Sequence, residues 1–453
     1  MEVGSRAVSF QLRVDKYLSG FRGQGQGLRM RFISGAFWSL LGAIVSRGLT
    51  LLASVIVARL LHPVGFGKLG IIQSTVGLVG AFAGAGLGLT ATKYVAEHRS
   101  TDTSKTGMYA SLSLRMAILS GLVASGVLFV TSGWIAGVVL GQAGLAQDLR
   151  ISASLVLFAA INGVQLGVVT GLEDFRTMAL MNMIRAVVLF ITLSAGCYLY
   201  GLRGAVAGLA VAEAVAAAVN QFALRHSCCK RAIPLRHRHV PRNEVLALAR
   251  FAVPTLLASL VISPAFWLSN VIMFQQPGGV RSLGVFNAAD RWRQVLLFLP
   301  GSVATIILPM LSNLRGTRDS ANYRRVLRLN LLANLVVVTI PAIIVIAAAP
   351  LAMSAFGAEY RGGSTALTIL SLSAIAMVLN NLLQSALVSM GYAWRRVALD
   401  SLLAALLGLL SWWLIPRFQV DGMAWANLGA FTVTIAPLSW SVRRYLRQPR
   451  ESY

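Results

Sequence analysis

The chain has 453 residues, of which 56% are hydrophobic and only 12% charged, where a soluble domain carries about 25% charged residues. Apolar runs recur along nearly the whole length, each long enough for the roughly 20 residues of a spanning helix, which excludes a soluble globular protein. The net charge of +25 would suggest a nucleic-acid partner in a soluble chain. Here most Lys and Arg fall between alternate apolar runs, so the charge reads as a topology signal and no nucleic acid is expected.

About twelve spans are expected, at residues 33–57, 68–90, 108–131, 151–172, 178–200, 203–224, 246–272, 282–308, 327–349, 365–390, 397–415 and 422–441. The basic bias places both termini in the cytoplasm of a bacterium, against anionic headgroups of its cytoplasmic (inner) membrane. Residues 1–32 form a basic tail without an apolar core, so no cleaved signal peptide is expected. "VSFQLRVDKYL" is compatible with a short interfacial helix, and Met30 is an alternative start.

In the first span Ser39, Ala43, Arg47, Thr50 and Ser54 step by four, four, three and four, one polar stripe on one helix face. Arg47 reads as cavity-lining, and the small polar residues as helix packing. The second span carries Gln73, Gly77, Ala81, Gly84 and Gly88 on one side, a spacing that lets backbones approach closely. Lys93 and Glu97 beyond it look like an interfacial pair. Arg115 and Arg250 lie near span ends, where long side chains snorkel. The connection from Ser132 to Arg150 has Asp148 but no His, Cys or Glu, which gives acid–base catalysis few candidates. Arg185 lies about two turns inside the fifth span and Glu213 near the middle of the sixth.

The connector "RHSCCKRAIPLRHRHVPR" sets Cys228 and Cys229 near His226, His237 and His239, at spacings that match no zinc pattern. With Cys197 these cysteines make no disulfide scaffold. No metal and no cofactor is expected. The seventh span carries a mild polar row, Thr255, Ser259, Ser263 and Asn270. The eighth holds "FNAADRWRQVLLF", in which Asn287, Asp290, Arg291 and Gln294 share an arc of about 100°. Trp292 points roughly opposite. A charge at the centre of a spanning helix costs about 2.5–3.5 kcal/mol, so this face looks into protein or water. Asp290 and Arg293, three apart, can neutralise each other, which leaves Arg291 without a partner on its own helix.

The connector sits near the midpoint, with six spans on each side. An offset of 214 sets Pro63, Gly65, Leu69 and Gly70 on Pro277, Gly279, Leu283 and Gly284; one of 220 sets Gly171 and Arg176 on Gly391 and Arg396; one of 218 sets Gly204 on Gly422. The expectation is an all-α polytopic membrane protein of about 12 transmembrane helices. Two six-helix bundles are related by a pseudo-two-fold along the membrane normal, with a site at their interface. The divisions are a tail at 1–32, bundles at 33–224 and 246–442, a connector at 225–245 and a basic tail at 443–453. The candidate substrate-binding residues are Arg47, Arg185, Asn270, Asn287, Asp290, Arg291, Arg293 and Gln294. Their net positive charge suits an anion, phosphate in particular.

"IVARLLHPVGFGKLGIIQS", "GLGLTATKYVAEHR" and "GLRGAVAG" resemble the polysaccharide transporter family, the O-antigen and oligosaccharide flippases of the multidrug/oligosaccharidyl-lipid/polysaccharide exporter superfamily. The resemblance implies a V-shaped pair of six-helix bundles that carries an undecaprenyl-pyrophosphate-linked oligosaccharide between leaflets by alternating access. It implies a cationic cavity lined by the first, second, seventh and eighth spans, and leaves H+ or Na+ open as a coupling ion. No family motif fixes the binding residues. The lipid II flippases of the superfamily carry two further helices for which this chain has no room. The alternatives are a cation-coupled multidrug antiporter, which uses cavity carboxylates that the first span lacks, and a membrane-embedded polysaccharide polymerase or ligase, which needs larger outside loops.

Overall fold

The computed structural model describes residues 25–84, 86–235, 242–298, 300, 320–390 and 392–447. The N-terminal segment "VSFQLRVDKYL", His237 and His239 lie outside the described residues, as do the side chains of Ser39, Ala43, Arg250, Thr255 and Ser259. Among the described residues every regular element is helical. The helices are α1 (Gly25–Gly84), α2 (Leu87–His98), α3 (Thr103–Trp134), α4 (Ala146–Gly171) and α5 (Phe175–Lys230). After the connector follow α6 (Arg242–Gln275), α7 (Gly279–Leu296), α8 (Ser320–Ala347), α9 (Ala349–Ser354), α10 (Ser364–Ser389) and α11 (Ala393–Arg447).

Three of these are hairpins whose limbs meet at a single break. The breaks fall at His62 (φ 54°) in α1, at Tyr200 and Gly201 (φ 59°) in α5, and at Gln419 (φ 45°) in α11. In α5, Thr192 Oγ1 donates to the carbonyl of Gly208 at 2.8 Å. Sixteen residues of straight helix would part them by about 24 Å, so the chain has turned back on itself. Gly201 takes the left-handed turn at no steric cost. Gln419 pays for its strained backbone with side-chain anchors: Ser282 Oγ donates to its Oε1 at 2.7 Å, and its Nε2 donates to Pro277 O at 3.3 Å. With these hairpins opened and α6 and α7 added, the described helices make about twelve membrane passes.

Span limits differ in detail from the apolar runs. The helix of the second span stops at Gly84 and resumes as α2 at Leu87. The connection after the third span is itself largely helical, with a π turn at Ile135–Val139. Helix α5 runs on to Lys230, taking Cys228 and Cys229 into its last turn. The eighth span is helical to Leu296, and 301–319 lie outside the described residues.

Large apolar side chains face outward all around the bundle, among them Val130, Phe222, Leu351 and Trp412. A monomer in water does not expose such a surface; a bilayer demands it, since helices satisfy their own backbone groups and present hydrocarbon to lipid. Inside, the largest fully buried side chains among the described residues are Tyr360 and Phe356, at the His62 end.

The internal offset of 218 reappears as a contact, whereas Gly391 of the 220 alignment lies outside the described residues. A Cβ on Gly204 would lie 1.8 Å from the carbonyl oxygen of Gly196, and one on Gly422 would lie 2.3 Å from that of Leu414. Both members of the second contact follow those of the first by 218 residues. The same close hairpin is thus built twice, and in each copy the glycine is what lets the limbs touch.

Candidate functional site

Helices α1 to α5 pack mainly on one another, as do α6 to α11, and the two sets meet where α1 crosses α6 and α7. The crossing is backbone on backbone. A Cβ on Gly67 would sit 1.9 Å from Val280 O, and one on Gly284 would sit 1.9 Å from Pro63 O. One turn further in, Asn287 Nδ2 lies where a Cβ of Gly70 would be. Of the glycines that align at an offset of 214, Gly70 and Gly284 bring α1 and α7 into contact, together with Gly67, which has no counterpart in that alignment; Gly65 and Gly279 meet residues of their own set.

Below this crossing lies a half-open cavity of about 230 Å³. Its walls are Gly70, Gln73 and Ser74 of α1, Phe266 and Asn270 of α6, Phe286, Asn287, Asp290, Arg291, Arg293 and Gln294 of α7, and Met423 and Asn427 of α11. Six of the eight candidate residues are gathered here: Asn270, Asn287, Asp290, Arg291, Arg293 and Gln294. Four of them, Asn287, Asp290, Arg291 and Gln294, are the polar arc read from α7, because a regular helix keeps one face to one side.

The charges in this cavity are arranged unequally. Arg293, 8% exposed, holds Asp290 Oδ1 through Nη2 at 2.5 Å and Nε at 2.7 Å. It also donates through Nη1 to Asn427 Oδ1 at 3.1 Å. Gln294 Nε2 donates to the other carboxylate oxygen at 2.8 Å. Asp290 is thereby neutralised and saturated within its own wall. Arg291 is treated differently: its Nη2 donates to Gln73 Oε1 of α1 at 2.7 Å, a neutral partner from the other set of helices. Among the described residues no carboxylate forms a salt bridge with it. The cavity therefore keeps one net positive charge, set among the amides of Gln73, Asn270, Asn287, Gln294 and Asn427. Asn287 Nδ2 is buried without a hydrogen-bond partner among the described residues.

Two candidates stand elsewhere. Arg185 is not in this cavity. It donates to Glu213 Oε1, through Nε at 3.1 Å and through Nη2, in a separate pocket of about 150 Å³ inside the first set of helices. Asn162 Nδ2 donates to Glu213 Oε2 at 2.7 Å, and Asn220 Nδ2 to Asn162 Oδ1 at 3.0 Å. The two deep charges counted separately along the chain thus cancel, which one-dimensional spacing could not reveal across the α5 hairpin. Arg47 is exposed, its guanidinium 5.9 Å from the ring centroid of Phe298 just past α7. It faces the end of the cavity-bearing helix rather than the cavity wall.

Gln73 and Asn427 line the cavity as well and are not among the residues the sequence points to as ligands. Gln73 was visible on the small-residue face of the second span, but its neighbour Arg291 is 218 residues away. Asn427 gave no signal, being one amide in an apolar span. The small-residue face itself packs in part: Gly88 lies against Gly163 and Gly167 of α4, whereas Gly77 borders open space. Lys93 sits 5.1 Å over the Tyr94 ring. Among the described residues no group of three His, Cys, Asp or Glu side chains is placed to hold a metal ion.

At the His62 end the two sets are locked. Tyr360 Oη donates to Ala58 O at 2.9 Å, Arg59 Nε to Ala355 O at 2.9 Å and Gln275 Nε2 to Val139 O at 2.7 Å. The Phe66 ring lies 6.4 Å from those of Phe356 and Tyr360. At the opposite end the sets touch where Tyr109, stacked on Tyr94 at 4.7 Å, donates its hydroxyl to Glu244 of α6.

The model of the polysaccharide biosynthesis protein family matches residues 32–315. The EPS I polysaccharide export inner membrane protein EpsE of Ralstonia solanacearum is 22% identical over 375 residues, covering 82% of this chain and 84% of that protein. The lipid III flippase of Escherichia coli (strain K12) is 24% identical over 297 residues, 64% of this chain and 69% of that one. Among solved structures, the inward-facing conformation of a multidrug resistance MATE family transporter of the MOP superfamily superposes with a TM-score of 0.71 at 16% identity. That superposition covers 91% of this chain and 98% of the other, and at that identity it speaks for the fold alone.

Proposed function

The chain belongs to the polysaccharide biosynthesis protein family, and from that membership we propose that it is a flippase. Its substrate is a lipid-pyrophosphate-linked oligosaccharide, carried across the bacterial cytoplasmic membrane by alternating access. The observation that carries this reading is Arg291, the cavity arginine that, among the described residues, has an amide and no carboxylate as its hydrogen-bonded partner, in a ring of further amides. A guanidinium in a dry setting offers a phosphoryl group charge-assisted, two-pronged hydrogen bonds. Sugar hydroxyls pair with donors and acceptors, both of which amides supply. The prenyl tail needs neither and stays in the hydrocarbon.

In this reading the His62 end faces outward, as the basic bias of the connections requires. The cavity then opens towards the cytoplasm, where the headgroup enters. Exposed Arg47, on the first limb of α1, makes the first anionic contact and Arg291 the deep one. Arg293 is the partner that keeps Asp290 from repelling phosphate. Once the headgroup is seated, the contacts at the His62 end part, those at the Glu244 end tighten, and the glycan leaves on the other side. A drug and cation antiporter needs a carboxylate free to exchange a cation for a proton or sodium ion. Asp290 is committed to Arg293 and Gln294, which argues against that alternative.

The test is surface glycan in cells that depend on this chain. Arg291→Ala and Arg47→Ala should each abolish it without lowering the amount of protein in the membrane. Normal glycan with either change removes that residue from the site.

A further inference from the structure

Arg291 belongs to the second set of helices and Gln73 to the first, so their hydrogen bond of 2.7 Å spans the seam along which the two sets must move. It sits one to two turns below the Gly67–Gly284 crossing and one turn from the Gly70–Asn287 contact. A second cross-seam bond, from Trp267 Nε1 to Thr75 Oγ1 at 3.0 Å, steadies the same stretch of α1 against α6. Gln73 itself lines the cavity. Its carbonyl therefore takes up one Nη2 donor of Arg291 on which an incoming anion would call, while the neighbouring Arg293 is already engaged through Nε, Nη1 and Nη2 by Asp290 and Asn427.

We propose that Gln73 is a positioning residue and the exchangeable partner of Arg291: it holds the guanidinium across the seam in the empty cavity and yields to the substrate's phosphate. A neutral amide suits this role. A guanidinium with an amide acceptor is weakly held, whereas a phosphate offers a charge-assisted, two-pronged contact. When the anion takes the donor, one of the bonds tying the two sets together is released, and occupancy is linked to the motion. A carboxylate in place of Gln73 would not yield, because it would hold the charge permanently in a low-dielectric site. The inference rests on the anionic-headgroup reading and adds to it a residue on the opposite wall.

The experiment uses the purified full chain in detergent micelles titrated with farnesyl pyrophosphate, with farnesol as the tail-only probe. Wild type should bind the pyrophosphate and not farnesol. Gln73→Glu should weaken the pyrophosphate at least tenfold, and Gln73→Leu should tighten it about threefold, because the competing acceptor is gone. Gln73→Asn, too short to reach Arg291, stands in for Gln73→Leu if that variant fails to fold. Opposite signs separate this role from a packing role, for which both changes weaken binding. If wild type binds the pyrophosphate but the two variants match it or shift together, the inference about Gln73 falls and the headgroup reading stands. If wild type fails to bind the pyrophosphate, or binds farnesol as well, both fall.

Discussion

Tyr360 donates its hydroxyl to the backbone carbonyl of Ala58, 302 residues earlier and on the other set of helices, at 2.9 Å. The Tyr360 side chain is fully buried between α1 and α7, so the bond exists only while the His62 end is closed. Tyr360→Phe keeps the ring and removes the donor, at a cost of about 1 kcal/mol to the closed state. The population open at that end should rise about fivefold. A Ser74→Cys reporter in a Cys229→Ser background, labelled by an impermeant maleimide from outside, measures it; unchanged labelling would show that the bond does not hold this end.

Gly67→Ala acts at the same end by sterics. The new Cβ would stand 1.9 Å from Val280 O, a distance no packing tolerates, and the obstacle is backbone. Helices α1 and α7 must part, so labelling of the same reporter should rise further than with Tyr360→Phe, and surface glycan should fall. Labelling below that of Tyr360→Phe would contradict the crossing.

Arg293→Ala should damage the fold as well as transport. It strands Asp290 in a largely dry wall, and breaking such a buried pair costs about 3–5 kcal/mol. Lower membrane levels and a lower Tm are expected, unlike for Arg291→Ala. The charge-swapped pair Asp290→Arg with Arg293→Asp should recover part of the stability but not export. Full export by the swapped pair would make the cluster a structural ion pair and nothing more.

Arg185→Ala should lower Tm and leave farnesyl pyrophosphate binding intact. Glu213 is buried, and without Arg185 it keeps the Asn162 amide as its partner, so the change strands a carboxylate as Arg293→Ala does, but away from the substrate cavity. A tenfold loss of binding would return Arg185 to the substrate path.

Asp174, in the turn between α4 and α5, gives a pH dependence. Burial alone would raise its carboxyl, but hydrogen bonds from Ser227 and Thr177 and the Arg231 charge hold it below the ordinary 3.8. A depressed folded pKa means that its stabilisation is full above 3.8 and is lost as pH falls through the lower folded value. Asp174→Asn should therefore lower Tm at neutral pH, with the difference from wild type closing in acid below that range. A gap that stays constant down to strong acid would refute the assignment.

The sequence by itself determined the membrane fold, the number of passes and the polar arc of α7. Each rests on a local cost: hydrocarbon length sets the apolar runs, and a 3.6-residue period puts Asn287, Asp290, Arg291 and Gln294 on one face whatever lies opposite. The same locality exposed the Asp290–Arg293 pair and the glycines that recur between halves. Only the tertiary structure decided which charges survive unpaired. Arg185 met Glu213 across a hairpin, Arg47 turned to Phe298, and Asn427 closed the shell of Arg293 from the last span. Whether a buried charge is free depends on partners brought from far along the chain, since electrostatic energy follows distance in space, not in sequence. Gln73, one amide on a small-residue face, became the neighbour of Arg291 because Gly67, Gly70 and Gly284 let two backbones touch.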